Sequence, residues 1–454
     1  MTETKKKLIL LIGDVLCVIG GTYLSVLVRS GGNMYIFYRY TAATTFFVLS
    51  YVLSFYIFDL YNLQVKFKST AYLTQFLAGL FTATSIIAGT FYFFPAWKIG
   101  RAVFIINMGF VGSFAFLWRL LFSFIFAAVR NTKAVAIVGA GWAGKTICDV
   151  LKRHPNYEIK CFIDDDVSKW NQSIKGYPII GPHNRLLEMA SNKEIEVAIV
   201  AITYEKSTEL LNAVMEAKVN GIEIIDMTTF YEELEGKLPV EHLSNGWFIF
   251  APFYGIRKSI YTNHLKRVLD ICLAILGLIM ALPIICITAL AIRLDSAGPI
   301  LFLQRRVGYN GKVFELLKFR SMAVDAEKNG AVWAQKDDSR VTRVGKMIRK
   351  TRIDEIPQIW NVLKGEMSFV GPRPERPEFV QHLQIEIPFY ALRHSVKPGI
   401  SGWAQVLYPY GASEKDALEK LQYDLYYIKN LSAFLDLHIV LKTIRVVLFG
   451  RGAR

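Results

Sequence analysis

Two acidic residues, Asp354 and Glu355, stand side by side in the stretch TRIDEIPQIWNVLKGEMSFVGPRPERPE. Pro357 is well placed to begin a short helix, and Gly365 is suited to end it. The acidic pair would then lie just before the positive end of a helix dipole, which stabilises ionised carboxylates. We therefore expect both carboxylates to be ionised at neutral pH.

Basic residues accompany the acidic pair. Residues 301–352 hold 13 Lys and Arg against 5 Asp and Glu. Such a surplus suits polyanions such as phosphates, nucleotides, nucleic acid or anionic lipid, and a merely solvated face is the alternative. The basic residues nearest the pair are Arg343, Lys346, Arg349, Lys350 and Arg352. Their charge also favours ionised carboxylates.

This combination of residues is able to transfer a phosphoryl group. An ionised aspartate can attack phosphorus, and a neighbouring carboxylate can hold Mg²⁺ together with substrate phosphates. Arginines would neutralise charge on the transferring group. Because an acidic pair before a helix is more often a capping feature, the prediction depends on the basic run, the rigid Pro372-Arg373-Pro374 and a neighbouring membrane segment occurring together.

The first 130 residues predict a membrane bundle. Apolar runs at about 8–28, 36–58, 72–94 and 103–127 are each long enough to cross a hydrocarbon core of roughly 30 Å. No cleavage site is obvious after Lys5–Lys7, so we predict an uncleaved first membrane helix. Flanking Lys and Arg favour a cytoplasmic N-terminus, and four passes would leave everything after Arg130 in the cytoplasm.

Residues 131–258 alternate predicted strands and helices, which indicates a parallel, doubly wound sheet. Gly139, Gly141 and Gly144 match GxGxxG between a strand and a helix, and Asp164 follows 20 residues later. These features fit a dinucleotide-binding fingerprint. The alternative is that the glycines serve only a tight turn and close helix packing. No catalytic Tyr/Lys constellation is evident, which argues against a redox cofactor, and a regulatory nucleotide or nucleotide-sugar site is a further alternative.

A second membrane element follows. Residues 271–292 carry no charge over 22 positions, which is long enough to span a bilayer. Pro283 lies in the middle and would kink a helix. A full fifth pass would put the basic region outside, away from cytoplasmic nucleotides. We therefore predict a broken, re-entrant helix at about 264–294, with a kinked fifth span as the alternative.

The composition limits the classes of protein to which this chain can belong. The chain is 53% hydrophobic with a net charge of +15, as expected for a membrane protein with a basic domain. Its five cysteines form no CxxC pair or metal-ligand spacing. This argues against a disulfide framework and a structural zinc site.

Five stretches in the C-terminal part resemble a known family, the bacterial polyprenyl-phosphate hexose-1-phosphate transferases, also called initiating phosphoglycosyl transferases. They occur in the family's order across roughly 265–430, and they read LKRVLD, FLQRRVGYNGKVFELLKFRSM, TRIDEIPQIWNVLKGEMSFVGPRP, VKPGISGWAQV and YDLYYIKN. The N-terminal bundle and Rossmann-like middle resemble the long-form members. The closing segment looks most like members from exosortase-linked exopolysaccharide systems.

The resemblance implies three domains: a four-helix transmembrane bundle at 1–130, a Rossmann-like α/β domain at 131–258, and a mixed α/β catalytic domain with a re-entrant helix at 259–454. It also implies that sugar 1-phosphate passes from a UDP-sugar to polyprenyl phosphate, typically undecaprenyl phosphate. UMP would leave, and the product would prime exopolysaccharide synthesis. No motif identifies the sugar.

The same resemblance also implies a cofactor, binding partners and a cellular location. Mg²⁺ is the implied cofactor. The lipid bilayer is an implied partner, nucleic acid is not, and the bundle and middle domain offer surfaces for a homodimer. The implied location is the bacterial cytoplasmic (inner) membrane, with the catalytic domain facing the cytoplasm.

The family's dyad maps onto Asp354 as the nucleophile and Glu355 as the Mg²⁺ ligand, with Asp354 as a second metal contact. Arg349, five residues before the aspartate, maps to a phosphate ligand. Pro372, Arg373 and Pro374 match the family's PRP element near the nucleotide. Small departures are Ile353, where Leu is usual, and Glu366, where Asp is common.

Lys266, Arg267 and Asp270 match the family's KRxxD element, which anchors the re-entrant helix near the active site. We group them with the substrate-binding residues. Pro283 matches the helix-breaking proline.

Two other functions remain open from the sequence. A membrane-anchored NAD(P)-dependent sugar-nucleotide epimerase or dehydratase would use the Gly-rich turn, but it leaves residues 265–454 unexplained. A non-enzymatic membrane scaffold would bind acidic lipid or nucleic acid in a salt-dependent manner. Only the transferase requires Asp354 for turnover.

Overall fold

The structure is a computed structural model that describes residues 3–30, 41–63, 67, 69–95, 100–127, 132–203, 207–243, 247–248, 251–257, 259–323, 340–409, 411 and 413–449. The chain divides into two compact units, Met1–Arg130 and Asn131–Arg454. The division falls at the first predicted domain boundary. The predicted middle and C-terminal domains lie together in the second unit.

The first unit is helical and consists of α1 (Glu3–Ser30), α2 (Thr41–Ile57), α3 (Thr70–Phe93) and α4 (Arg101–Ala127). By length and composition, α1, α3 and α4 are able to cross a membrane. Helix α2 is apolar but has 17 residues, or about 26 Å. Residues 36–40, which begin its predicted run, lie outside the described residues.

A buried ion pair joins α1 to α4. The side chains of Asp14 and Arg119 are fully buried against each other, and Arg119 Nε donates to the Tyr72 hydroxyl at 2.9 Å. Charges inside a membrane bundle are costly unless they are paired. Both residues lie in runs that are otherwise apolar, so this contact was not predicted.

The second unit begins with a parallel sheet, as predicted. Its elements are β1 (Lys133–Val138), α5 (Trp142–Arg153), β2 (Tyr157–Ile163), β3 (Ser173–Ile174), β4 (Tyr177–Pro178), α6 (Asn184–Ser191), β5 (Val197–Val200), α7 (Thr208–Val219), β6 (Glu223–Asp226) and α8 (Met227–Glu235). The strand order is β2-β1-β5-β6, and every neighbouring pair is parallel. Strands β3 and β4 form a separate antiparallel hairpin.

The long apolar helix α9 (Lys266–Asp295) follows a π-helical turn at Tyr261–Leu265. It is the fourth described helix that is long and apolar enough to cross a membrane. Pro283 lies inside it without ending it, so the predicted break into two helices is not observed. A proline removes one hydrogen bond, which a long helix can tolerate as a kink.

The rest of the unit is mixed α/β. Its elements are β7 (Leu301–Val307), β8 (Val313–Phe319), α10 (Arg343–Lys350), α11 (Gln358–Lys364), β9 (Ser368–Val370), α12 (Pro377–Glu386), β10 (Gly399–Ser401), α13 (Trp403–Leu407), α14 (Glu414–Lys429) and α15 (Ala433–Phe449). Strands β7 and β8 form an antiparallel hairpin, and β9 pairs with β10 in parallel. Leu425 and Ile428 of α14 are fully buried in the core that joins these elements.

Candidate active site

The acidic pair lies on a single 3₁₀ turn, Ile353–Glu355, between α10 and α11. Arg352 precedes the turn in the left-handed conformation, with φ of 59°, and reverses the chain direction after α10. Helix α11 begins after Pro357 and ends at Gly365, whose φ of 88° is also left-handed. The prediction of an acidic pair ahead of a Pro-started, Gly-ended helix is therefore confirmed.

Asn361 ties α11 to strand β8. Its side chain is fully buried; Nδ2 donates to the Glu315 carbonyl at 2.7 Å, and Oδ1 accepts from the Leu317 N–H at 3.0 Å. The amide thus satisfies both kinds of backbone group on one strand. This contact fixes the acidic turn relative to β8, and Asn361 was not predicted as a site residue.

Two cations hold Glu355. Its Oε1 accepts from Lys318 Nζ at 3.3 Å and from Arg373 Nη2 at 2.6 Å. Burial alone would raise the pKa of Glu355, but Arg373 and Lys318 outweigh it and hold that pKa well below the usual glutamate range. Glu355 is therefore ionised at neutral pH, as predicted.

The neighbouring Asp354 is in a different environment. It is 8% exposed, and its carboxylate has no hydrogen bond or ion pair within the described part of the chain. Burial raises its pKa above the usual aspartate range, and the charge of Lys318 offsets only part of this effect. The cations lower the pKa of Asp354, as predicted, but burial outweighs them, because Lys318 and Arg373 bond to Glu355 instead.

The Pro372-Arg373-Pro374 segment has a fixed backbone. Its three successive carbonyl groups each accept one hydrogen bond at 2.9 Å, and the donors, in chain order, are the Gly399 N–H, Arg393 Nη2 and Arg306 Nη1. With its backbone held in this way, the segment directs the Arg373 guanidinium to Glu355.

Positive charge therefore converges on the dyad from three elements. Lys318 belongs to β8, Arg373 to the loop after β9 and Arg349 to α10, and all three lower the pKa of Asp354 against its burial. Arg349 and Arg373 were predicted, whereas Lys318 was missed. The available signal was a lysine in the otherwise apolar second half of the strand FELLKF.

Lys266, Arg267 and Asp270 bond to protein groups. Arg267 donates to the last carbonyls of α11, Val362 at 2.6 Å and Leu363 at 2.8 Å. The remaining contacts join Lys266 to Asp436 of α15, and Asp270 to Ser368 Oγ and the Phe369 N–H of β9. This geometry agrees with an anchoring role for all three rather than with direct substrate binding.

The Gly-rich turn is closed by the protein itself. A Cβ at Gly144 would lie 2.0 Å from the Gly139 carbonyl oxygen, so α5 can approach β1 only without one. Asp164 Oδ2 accepts from the Ala140 N–H at 2.7 Å, and Lys169 pairs with the same carboxylate at 3.1 Å. The Asp164 carboxylate thus stabilises the turn through contacts within the protein. These contacts support the tight-turn interpretation.

Metal-binding groups are few. Among the described residues, no three His, Cys, Asp or Glu side chains come together as a metal-binding cluster. Asp354 and Glu355 provide two carboxylates, a number that suits Mg²⁺ when substrate phosphates complete its coordination. Asp354 fits this role, because its burial is not compensated by the cations present.

Two family models match this chain. A family model described as bacterial sugar transferase matches residues 261–450, and one described as CoA-binding domain matches residues 56–227.

Three curated relatives are named as sugar phosphate transferases. The UDP-N-acetylgalactosamine-undecaprenyl-phosphate N-acetylgalactosaminephosphotransferase of Aeromonas hydrophila is 49% identical over 49% of this chain and 52% of its own length. The UDP-glucose:undecaprenyl-phosphate glucose-1-phosphate transferases of Escherichia coli (strain K12) and Klebsiella pneumoniae are 44% and 34% identical. They match over 69% and 72% of this chain, and over 67% and 70% of their own lengths.

Proposed function

Because the chain belongs to the bacterial sugar transferase family, we propose that it transfers sugar 1-phosphate from a UDP-sugar to undecaprenyl phosphate and releases UMP. The observation that carries this proposal is the asymmetric dyad. Glu355 is held by two cations, and the carboxylate of Asp354 beside it makes no hydrogen bond or ion pair with the described residues, although Lys318, Arg349 and Arg373 lie near enough to lower its pKa. A buried, unpartnered carboxylate next to fixed positive charge is suited to attack a phosphate.

The reaction proceeds in two displacements. An Asp354 carboxylate oxygen attacks the phosphorus that carries the sugar, the bond to the bridging oxygen breaks, and UMP departs with that oxygen. A phosphate oxygen of the lipid then attacks the same phosphorus and releases Asp354. Lys318, Arg349 and Arg373 neutralise charge on the phosphoryl oxygens in both steps.

Mg²⁺ would neutralise phosphate charge and favour the ionised form of Asp354 when bound. Glu355 and Asp354 are the side chains that would hold it. Lys318 and Arg373 fix Glu355 in place, so this carboxylate has one orientation before any substrate arrives.

Helix α9 enters and leaves the membrane on one face in this proposal. Both of its ends bond to the same compact unit: Asp270 to β9, and Asp295, at its last residue, to the Val344 N–H of α10 at 3.2 Å. A straight helix of 30 residues would be about 45 Å long and would carry its ends to opposite faces. A bend at Pro283 removes this conflict.

The middle of α9 is suited to the hydrocarbon region. Its buried residues lie toward the two ends, at Asp270, Ala274, Thr288 and Ile292, while Ile279 and Met280 between them are 66% and 71% exposed. The site would then lie at the cytoplasmic surface of the inner membrane, where a lipid phosphate and a soluble nucleotide meet. The product is a polyprenyl-diphospho-sugar that starts a glycan such as an exopolysaccharide.

The proposal is tested by UMP release from the detergent-purified protein with Mg²⁺, undecaprenyl phosphate and a panel of UDP-sugars. We expect release with one sugar, and a loss of at least about 10³-fold in Asp354→Asn. Thermal unfolding provides the folding control. Full activity in the folded variant would exclude Asp354 as the nucleophile, and release from no UDP-sugar would count against the function.

A further inference from the structure

Asp424 of α14 and Arg393 of the 3₁₀ turn Tyr390–Ser395 form an ion pair that the site described above does not include. Asp424 Oδ2 and Arg393 Nη2 are 2.8 Å apart, and the two side chains are 2% and 6% exposed. A buried ion pair contributes little net stability compared with a well-packed apolar pair. Its role therefore has to be sought in the groups that it positions.

The pair extends to the acidic dyad through the backbone. Arg393 Nη2 carries two hydrogens; one is directed to Asp424, and the other to the Arg373 carbonyl oxygen at 2.9 Å. Arg373 in turn donates from its own Nη2 to Glu355 Oε1 at 2.6 Å. Asp424, Arg393, Arg373 and Glu355 thus form a continuous chain of charge-assisted hydrogen bonds from α14 to the dyad.

Asp424 controls the direction of this chain. A guanidinium is planar and presents its donors in a fixed fork, so the bond to Asp424 determines where the second Nη2 hydrogen points. The Tyr390 hydroxyl accepts from the other terminal nitrogen, Nη1. Arg393 is therefore held on two sides, and its second Nη2 hydrogen is directed to the Arg373 carbonyl oxygen.

We propose that Asp424 and Arg393 are positioning residues for the transfer reaction: they hold the Arg373 backbone so that its guanidinium meets Glu355 beside Asp354. Neither residue touches substrate. The inference rests on the proposed function, because the orientation of Arg373 matters to turnover only if the dyad is catalytic.

A double-mutant cycle tests this role. Asp424→Asn, Arg373→Lys and the double variant are compared by kcat and KM for UMP release. We expect Asp424→Asn to lower kcat/KM about 10-fold in the wild-type background and less than about 2-fold in the Arg373→Lys background, since residues that act through one another are non-additive.

Glu419→Gln is the matched control. Glu419 lies on the same helix and pairs with Lys237 at 2.7 Å instead of with Arg393. Any loss that it causes should be the same in both backgrounds, as expected for a residue that only supports the fold.

Equal losses for Asp424→Asn in both backgrounds would overturn the proposal, and so would wild-type activity in a folded Asp424→Asn variant. If that variant does not unfold cooperatively, Arg393→Lys enters the same cycle, because lysine keeps the charge facing Asp424 but lacks the fork. A wild-type protein that releases no UMP refutes the proposed function, whereas additive losses in an active protein refute only the positioning role.

Discussion

At the scale of single residues, two neighbouring carboxylates have opposite environments. Lys318 and Arg373 lower the pKa of Glu355 against its burial, whereas burial prevails at Asp354 and raises its pKa. One cationic pair cannot bond equally to both carboxylates, so the residue with the contacts is fixed and ionised. The other is desolvated, which makes a carboxylate more reactive toward phosphorus once it is ionised.

The raised pKa of Asp354 sets a pH dependence. The proposed reaction requires ionised Asp354, so we expect kcat/KM to fall on acidification, at a pH above the usual aspartate range. Added Mg²⁺ should move this fall to lower pH, because a nearby cation favours the ionised form. Initial rates of UMP release at several Mg²⁺ concentrations measure both effects. A rate that stays flat across the acid range would contradict them.

Removal of Lys318 should impair transfer more than folding. We expect Lys318→Met to lower kcat about 10²-fold, the usual cost of losing one fixed positive donor at a developing charge. Arg373 remains bonded to Glu355, so the variant should keep a cooperative thermal transition. Lys312→Met is the control, since Lys312 is exposed on the same hairpin. Equal effects of the two substitutions would argue against a role for Lys318 in the reaction.

At the scale of elements, short regular segments carry the site residues and long-range contacts align them. The 3₁₀ turn Ile353–Glu355 presents the acids, and Asn361 fixes α11 to β8. Arg267 then joins α9 to the C-terminal carbonyls of α11. Helix α9 and the acidic turn are therefore connected through one short helix.

The two ends of α9 should be accessible from the same side of the membrane. In a variant without its native cysteines, we expect Arg257→Cys and Ala297→Cys to react with a membrane-impermeant thiol reagent in inverted vesicles only. Both positions are exposed and flank α9. Labelling of the two cysteines from opposite sides would show a spanning helix. A single cysteine at Asp149, in the Gly-rich domain that the proposal places in the cytoplasm, serves as the orientation control.

At the scale of the whole molecule, the parallel sheet and the part matched by the sugar transferase family form one compact unit. Helix α14 is bonded to α8 and the segment after it: Asn430 donates to Glu232 at 2.7 Å, and the Leu238 N–H donates to the Gln422 carbonyl at 3.0 Å. The Gly-rich turn is closed by Asp164. The sheet therefore supports α14 on one side, while Asp424 on that helix bonds to Arg393.

We expect Asp164→Ala to loosen the Gly-rich turn without creating or removing a nicotinamide site. The substitution leaves the Ala140 N–H without its acceptor, a loss of about 1–3 kcal/mol. Amide hydrogen exchange in a peptide covering residues 136–145 should therefore be faster, while Asp149→Ala, an exposed control, should leave it unchanged. NADH binding by the wild-type protein, lost in Asp164→Ala, would instead support a dinucleotide site.

The sequence alone was sufficient where the signal is local. Strand–turn–helix periodicity predicted the parallel sheet, apolar length predicted the membrane helices, and Pro357 with Gly365 predicted α11, because backbone preferences act over a few residues. The acidic pair was recognisable from its neighbours and from a resemblance to a family. Only the tertiary structure decided which cations bond to which acid, since Lys318 and Arg373 reach Glu355 from different elements.

The same distinction, between local preferences and long-range contacts, explains the other differences between the predictions and the structure. The spacing of Asp164 fitted a dinucleotide-binding fingerprint, but in the structure its carboxylate accepts from the Ala140 N–H. Asp14 and Arg119 lie in runs that read as apolar, and they are tolerated because folding pairs them. Pro283 predicted a break, yet α9 continues through it. Spacing along a chain identifies which groups are available, whereas burial and long-range pairing determine their charge and orientation.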